Sequence, residues 1–101
     1  INIHPALLPS FGGSGMYGMN VHRAVFESSA QVSGASVHFV DETYDTGRII
    51  TQRCVDISGV KSPEEIAERV LSMEHQLLPY VIEKIALGKV FVENKRVRVE
   101  T

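Results

Sequence analysis

Apolar residues recur along this chain with a period of two near its start, middle and end, and with a helical period between. Ile1-Asn2-Ile3-His4 alternates as a strand and stops at Pro5, which cannot donate to a sheet ladder and biases His4 towards an extended backbone. Residues two apart on a strand share a face, so Asn2 and His4 are expected to point the same way at the sheet's carboxyl edge, where open α/β sheets bind ligands. Ala35 to Val40 alternates again, with Val37 and Phe39 on one face and His38 on the other, and Arg48 to Ile57 reads as a further long strand. Val90 to Glu100 alternates on either side of Asn94-Lys95 and predicts a hairpin.

The helical period appears twice. Met19 to Ala30 predicts a short helix with Val21, Ala24 and Val25 on its apolar stripe and His22, Arg23 and Glu27 turned to solvent. Ser62-Pro63-Glu64-Glu65 is a strong helix start, with Ser62 as N-cap, Pro63 at the first helical position and Glu65 closing a capping box. That helix should run to about Leu87 and end at Gly88, burying Ile66, Val70, Met73, Leu77 and Val81. Pro79 sits on its polar side, where it removes one backbone hydrogen bond and should produce a bend. Glu74 falls inside the apolar sector, a costly place for a carboxylate unless it reaches solvent, a cation or a ligand. His75 lies farther round and reads as a partly exposed packing residue.

Composition narrows the classes of function. With 101 residues, 44% hydrophobic and 22% charged, the chain is at most one ordinary globular domain. A net charge of −2 with dispersed basic residues gives no footprint for nucleic acid, so a small-molecule partner is expected. The single cysteine, Cys54, excludes an internal disulfide and reads as a buried strand thiol. No Cys/His cluster suggests a metal, and no segment suggests a membrane span or signal peptide, which points to a reducing, cytoplasmic setting. The chain begins without methionine, inside what reads as a buried strand, and is therefore expected to be the second half of a larger unit.

Two loops carry the remaining chemistry. Gly12-Gly13-Ser14-Gly15-Met16-Tyr17-Gly18 is either a flexible connector or a flap over a site, and its glycines do not have nucleotide-loop spacing. Asp41-Glu42-Thr43-Tyr44-Asp45 places three carboxylates between strands, either as solvated turn residues or as part of a site, without the spacing of a calcium loop. Asp45 is placed to meet a neighbouring strand end, and a carboxylate near His4 would favour the charged imidazole.

Taken together, Asn2-x-His4-Pro5-x-Leu7-Leu8-Pro9-x-Phe11, the glycine-rich stretch, Val37-His38-Phe39-Val40-Asp41-Glu42 and Tyr44-Asp45-Thr46-Gly47-x-Ile49-Ile50-x-Gln52 resemble the folate-dependent phosphoribosylglycinamide formyltransferases of purine biosynthesis. Met73-Glu74-His75 with Leu78-Pro79 extends the likeness into the long helix, and it weakens only in the tail. Methionyl-tRNA formyltransferases share the Leu-Leu-Pro motif but continue with a basic, Trp-containing stretch that this Trp-free chain lacks. Formyltetrahydrofolate hydrolases share the Asn/His/Asp constellation and are the nearest alternative.

The resemblance implies an α/β fold in which residues 1–101 form the C-terminal, catalytic and folate-facing half of a Rossmann-like formyltransferase, a mixed sheet flanked by helices. The N-terminal phosphate-binding half is absent and becomes an expected partner. The implied reaction is formyl transfer from 10-formyltetrahydrofolate, the cosubstrate, to the amine of glycinamide ribonucleotide, without metal. Asn2, His4 and Asp45 match the catalytic set: the Asn2 amide and a protonated His4 would stabilise the tetrahedral oxyanion, and Asp45 would keep His4 charged. Asn2, Asp41, Glu42, Thr43, Tyr44 and Asp45 match the folate-binding residues, and Ile3, Pro5 and Glu74 the nucleotide-binding ones. Some members carry Gln where this chain has Leu71, which leaves Glu74 as the expected ribose contact. A further alternative is a catalytically silent fragment that needs its complementary half.

Overall fold

The computed structural model describes residues 1–40 and 47–101. The elements in order are β1 (Asn2–His4), α1 (Met19–Glu27), β2 (Val32–His38), β3 (Ile49–Asp56), α2 (Pro63–Ala86), β4 (Val90–Glu93) and β5 (Arg96–Val99). β1, β2 and β3 form one sheet in that order, and β4 and β5 form a separate two-stranded ribbon. The α/β character agrees with the sequence, but the mixed sheet does not: among the described residues both pairings of the larger sheet are antiparallel. β1 meets β2 in the antiparallel sense despite the helix between them.

Register divides the sheet into two chemically different faces. Paired residues lie on the same side of a ladder, and the pairs Asn2 with His38, His4 with Ser36, and Ser36 with Gln52 gather polar side chains on one side. Ile3 with Val37, and Val37 with Thr51, lie on the other. The β2–β3 register shifts between Val37 and His38, so that Ile49 and not Ile50 opposes His38. Ile50 is thereby freed to join Ala35, Val37, Leu77 and Val81 in the core under α2.

α2 behaves as its sequence dictates. Ser62 accepts a hydrogen bond from the Glu65 N–H at 3.3 Å, Pro63 opens the helix, and Gly88 follows the last turn at φ 70°. Ile66, Val70, Leu77 and Val81 are buried and Met73 packs at the edge of their row. The helix continues through Pro79 without interruption. Its first half joins Val25 and Ile57 in a second core cluster, against which Phe11 and Phe26 pack. The tail hairpin forms with Asn94 and Lys95 both at positive φ, the backbone a two-residue hairpin turn requires.

Three expectations are corrected. α1 ends at Glu27 and not Ala30, because the Ser28 hydroxyl donates to the Val25 carbonyl and Ser29 turns to φ 62°. His22 is buried and not solvated: burial on α1 falls on Val21, His22 and Val25, so the inward stripe is rotated by about one residue from the expected one. Cys54 is exposed and not buried, next to exposed Arg53 in the second half of β3.

The segment after β1 is held to the polar face by one hydroxyl. Ser36 Oγ is fully buried, donates to the Ala6 carbonyl at 2.7 Å, and accepts from the Leu8 N–H at 3.0 Å and the Gln52 side-chain amide at 2.9 Å. The same Gln52 nitrogen donates to the Leu8 carbonyl at 2.8 Å. One donor and two lone pairs exhaust the hydroxyl, and Ser36→Ala leaves buried backbone groups without partners, at about 1–3 kcal/mol for each. Urea unfolding of that variant is expected to show a loss of this size; a change below about 0.5 kcal/mol, typical of surface positions, would contradict the role given to the hydroxyl.

Candidate active site

β1 delivers Asn2 and His4 to the polar face, as the spacing predicts. Asn2 is exposed beside buried His38, its register partner, while His4 is 3% exposed. The His4 Nε2 lies 2.8 Å from the Phe11 carbonyl oxygen. A carbonyl can only accept, so Nε2 carries a proton and donates it in this arrangement. His38 Nδ1 lies 3.0 Å from its own neighbour's carbonyl, that of Phe39, and must likewise be the donor.

Two further titratable groups are brought to His4. Glu74, half-buried on α2, has its pKa raised chiefly by burial, against the attraction of His75 and His4. It forms no hydrogen bond among the described residues, so its ionised form stands desolvated without a direct partner. His22, 5% exposed on α1, has its pKa lowered by burial first and by the positive field of His4 second. Its Nδ1 is buried without a hydrogen-bond partner. Burial therefore favours the neutral form of His22 over the charged one.

Other expected residues are distributed unevenly. Ile3 packs its side chain against the first core cluster, on the face away from Asn2 and His4, so only its backbone faces any ligand there. Pro5 is half-buried at the strand exit, and His75 and Leu71 are exposed on α2. Asp41, Glu42, Thr43, Tyr44 and Asp45 lie outside the described residues. The chain re-enters at Gly47, which is pressed against β2: a Cβ there would stand 1.8 Å from the Phe39 carbonyl oxygen. The glycine-rich stretch turns on itself, with the Met16 N–H bonded to the Gly13 carbonyl and the Asn20 amide to Gly15.

Sequence reasoning missed His22 and the Phe11 carbonyl. The first had a signal in its i+3 spacing to Val25, and the second, a backbone acceptor, had none. Among the described residues no three His, Cys, Asp or Glu gather as a metal-ligand group, and no helix is long and apolar enough to cross a membrane.

A family model described as formyl transferase matches residues 1–82. The chloroplastic phosphoribosylglycinamide formyltransferase of Vigna unguiculata is 57% identical over 84 residues, covering 83% of this chain and 27% of that protein. The crystal structure of phosphoribosylglycinamide formyltransferase from Anaplasma phagocytophilum superposes with a TM-score of 0.89 at 31% identity, over 99% of this chain and 47% of that one. A formyltetrahydrofolate deformylase from Pseudomonas syringae pv. tomato superposes with a TM-score of 0.85 at 27% identity, over 99% of this chain and 32% of that one. The chain thus spans less than half the length of each of these relatives.

The position of Glu74 yields a test. A carboxyl whose folded pKa lies above its ordinary 4.5 binds more protons folded than unfolded, so its stabilising contribution is present below 4.5 and is lost as pH rises through the folded value. Glu74→Gln is therefore expected to raise the urea midpoint relative to the parent at pH 7 and to leave the difference smaller at pH 4. An equal difference at both values would show that desolvation of the carboxylate is not its cause.

Proposed function

The chain belongs to the formyl transferase family, and from that premise we propose that it is the C-terminal half of a phosphoribosylglycinamide formyltransferase, acting on 10-formyltetrahydrofolate and glycinamide ribonucleotide. The observation that carries this reading is that Asn2 and His4, which match motif positions, share one face of β1, with His4 close enough to Glu74, a third motif position, to attract it. The folate cosubstrate supplies an activated formyl carbon. The substrate amine attacks it, the carbonyl oxygen gains negative charge, and the Asn2 amide with a protonated His4 Nδ1–H stabilises that charge by hydrogen bonding. Asp45 keeps His4 protonated and helps pass the proton lost by the amine, through water, to the folate N10 nitrogen, whose bond to the formyl carbon breaks as the tetrahedral intermediate collapses.

Glu74 gives the nucleotide end its selectivity. Ribose hydroxyls donate to a carboxylate that the free chain leaves desolvated, so the ligand supplies the hydrogen bonds the fold withholds. Asn2 and the 41–45 loop receive the folate, and Ile3 and Pro5 offer backbone and ring contacts to the nucleotide. No metal takes part. The phosphate is held by the complementary N-terminal half, and the setting is reducing and cytoplasmic, although the Vigna relative is named a chloroplastic enzyme. The second reading, hydrolysis of the formyl donor, draws its support from the deformylase structure.

The test is turnover of the chain supplied with a complementary phosphate-binding half. Asn2→Ala and His4→Ala are each expected to lower kcat by about 10²–10³, the effect of removing one oxyanion donor. Formyl transfer by the His4→Ala variant at close to the parent rate would eliminate this mechanism.

A further inference from the structure

We propose that Phe11 is a positioning residue for His4, acting through its backbone carbonyl and not its ring. The inference rests on the reading of His4 as the group that meets the reacting formyl oxygen. Three observations converge on it. The Phe11 carbonyl oxygen accepts from His4 Nε2 at 2.8 Å across a separation of seven residues. Phe11 adopts φ 54°, a left-handed backbone that a bulky L-residue rarely takes and that Gly12 or Gly13 next to it would adopt without penalty. Its side chain is half-buried against the cluster of Val25, Ile57, Ile66 and Val70.

An aromatic residue in a conformation that favours glycine indicates a constraint stronger than the local preference. The ring anchors the loop to the second core, the left-handed backbone sets the direction of the carbonyl, and the carbonyl fixes the His4 tautomer. With Nε2–H committed to Phe11, the ring cannot flip without breaking a hydrogen bond in a buried site. The groups that face His4 electrostatically among the described residues are His22 from α1 and Glu74 from α2, and neither replaces this contact. A glycine at position 11 would reach the same backbone angle and lack the anchor, which explains why the position is not simply a third glycine in the run.

The experiment is ¹⁵N–¹H correlation of the histidine rings in the 101-residue chain, compared for the parent, Phe11→Ala and Phe11→Tyr. In the parent, neutral His4 is expected in the Nε2–H form with a slowly exchanging ring proton. Phe11→Ala should shift the tautomer ratio about fivefold towards Nδ1–H, the worth of one net hydrogen bond, and speed exchange of that proton. Phe11→Tyr, which keeps the anchor, should restore both. An Nδ1–H tautomer in the parent would overturn the proposal, as would a folded Phe11→Ala variant with unchanged tautomer and exchange. If Phe11→Ala does not fold, Phe11→Leu takes its place, with an intermediate shift expected and no shift counting against the proposal. Because the readout is spectroscopic, failure of formyl transfer with the tautomer pattern intact would remove the catalytic reading and leave the positioning contact standing.

Discussion

The Ser36 hydroxyl is the contact through which the sheet and the candidate site are joined. It sits on the central strand, fully buried, and its donor and both lone pairs serve three groups that lie far from Ser36 in sequence. Two of these belong to the segment that leaves β1, so the hydroxyl fixes the path of residues 6–8 over the polar face. Gln52 doubles the hold by donating to the Leu8 carbonyl as well. The same path leads to Phe11, whose carbonyl meets His4. A fully satisfied buried polar network of this kind rigidifies what it touches, and here it lies beside His4, the register partner of Ser36.

The electrostatics of the site follow from burial more than from pairing among the described residues. Glu74 is desolvated and has its proton held more tightly, while His22 is desolvated and has its proton held less tightly. Both effects disfavour charge around His4. The low local dielectric behind both shifts also strengthens every charge interaction made there. The desolvated carboxylate of Glu74 is a cost to the free fold.

The fold was legible where local rules act alone. The α2 boundaries followed from Ser62, Pro63 and Gly88, the hairpin from alternation around Asn94-Lys95, and the shared face of Asn2 and His4 from their spacing. It was not legible where tertiary packing chooses among local options. His22 is adjacent to both candidate stripes of α1, and only docking on α2 decides which side is inside. Cys54 has apolar neighbours in sequence but none covering it in space, and Ile50 reaches the core through a register shift that no side-chain pattern announces. Of the site, Asn2, His4 and Glu74 were readable as motif positions. Ser36 and the Phe11 carbonyl were not, since a buried serine and a backbone oxygen carry no signature until their partners are known.

What binds these features together is the claim that a protonated His4 and the Asn2 amide stabilise formyl transfer to an amine and not to water. The fate of a ¹³C-labelled formyl group addresses it directly, with the chain supplemented by the complementary segment of the Anaplasma phagocytophilum relative and given labelled 10-formyltetrahydrofolate. The account predicts that the label appears in formylated glycinamide ribonucleotide and that donor consumption depends on the amine. Label released as formate at the same rate with or without the amine would contradict it.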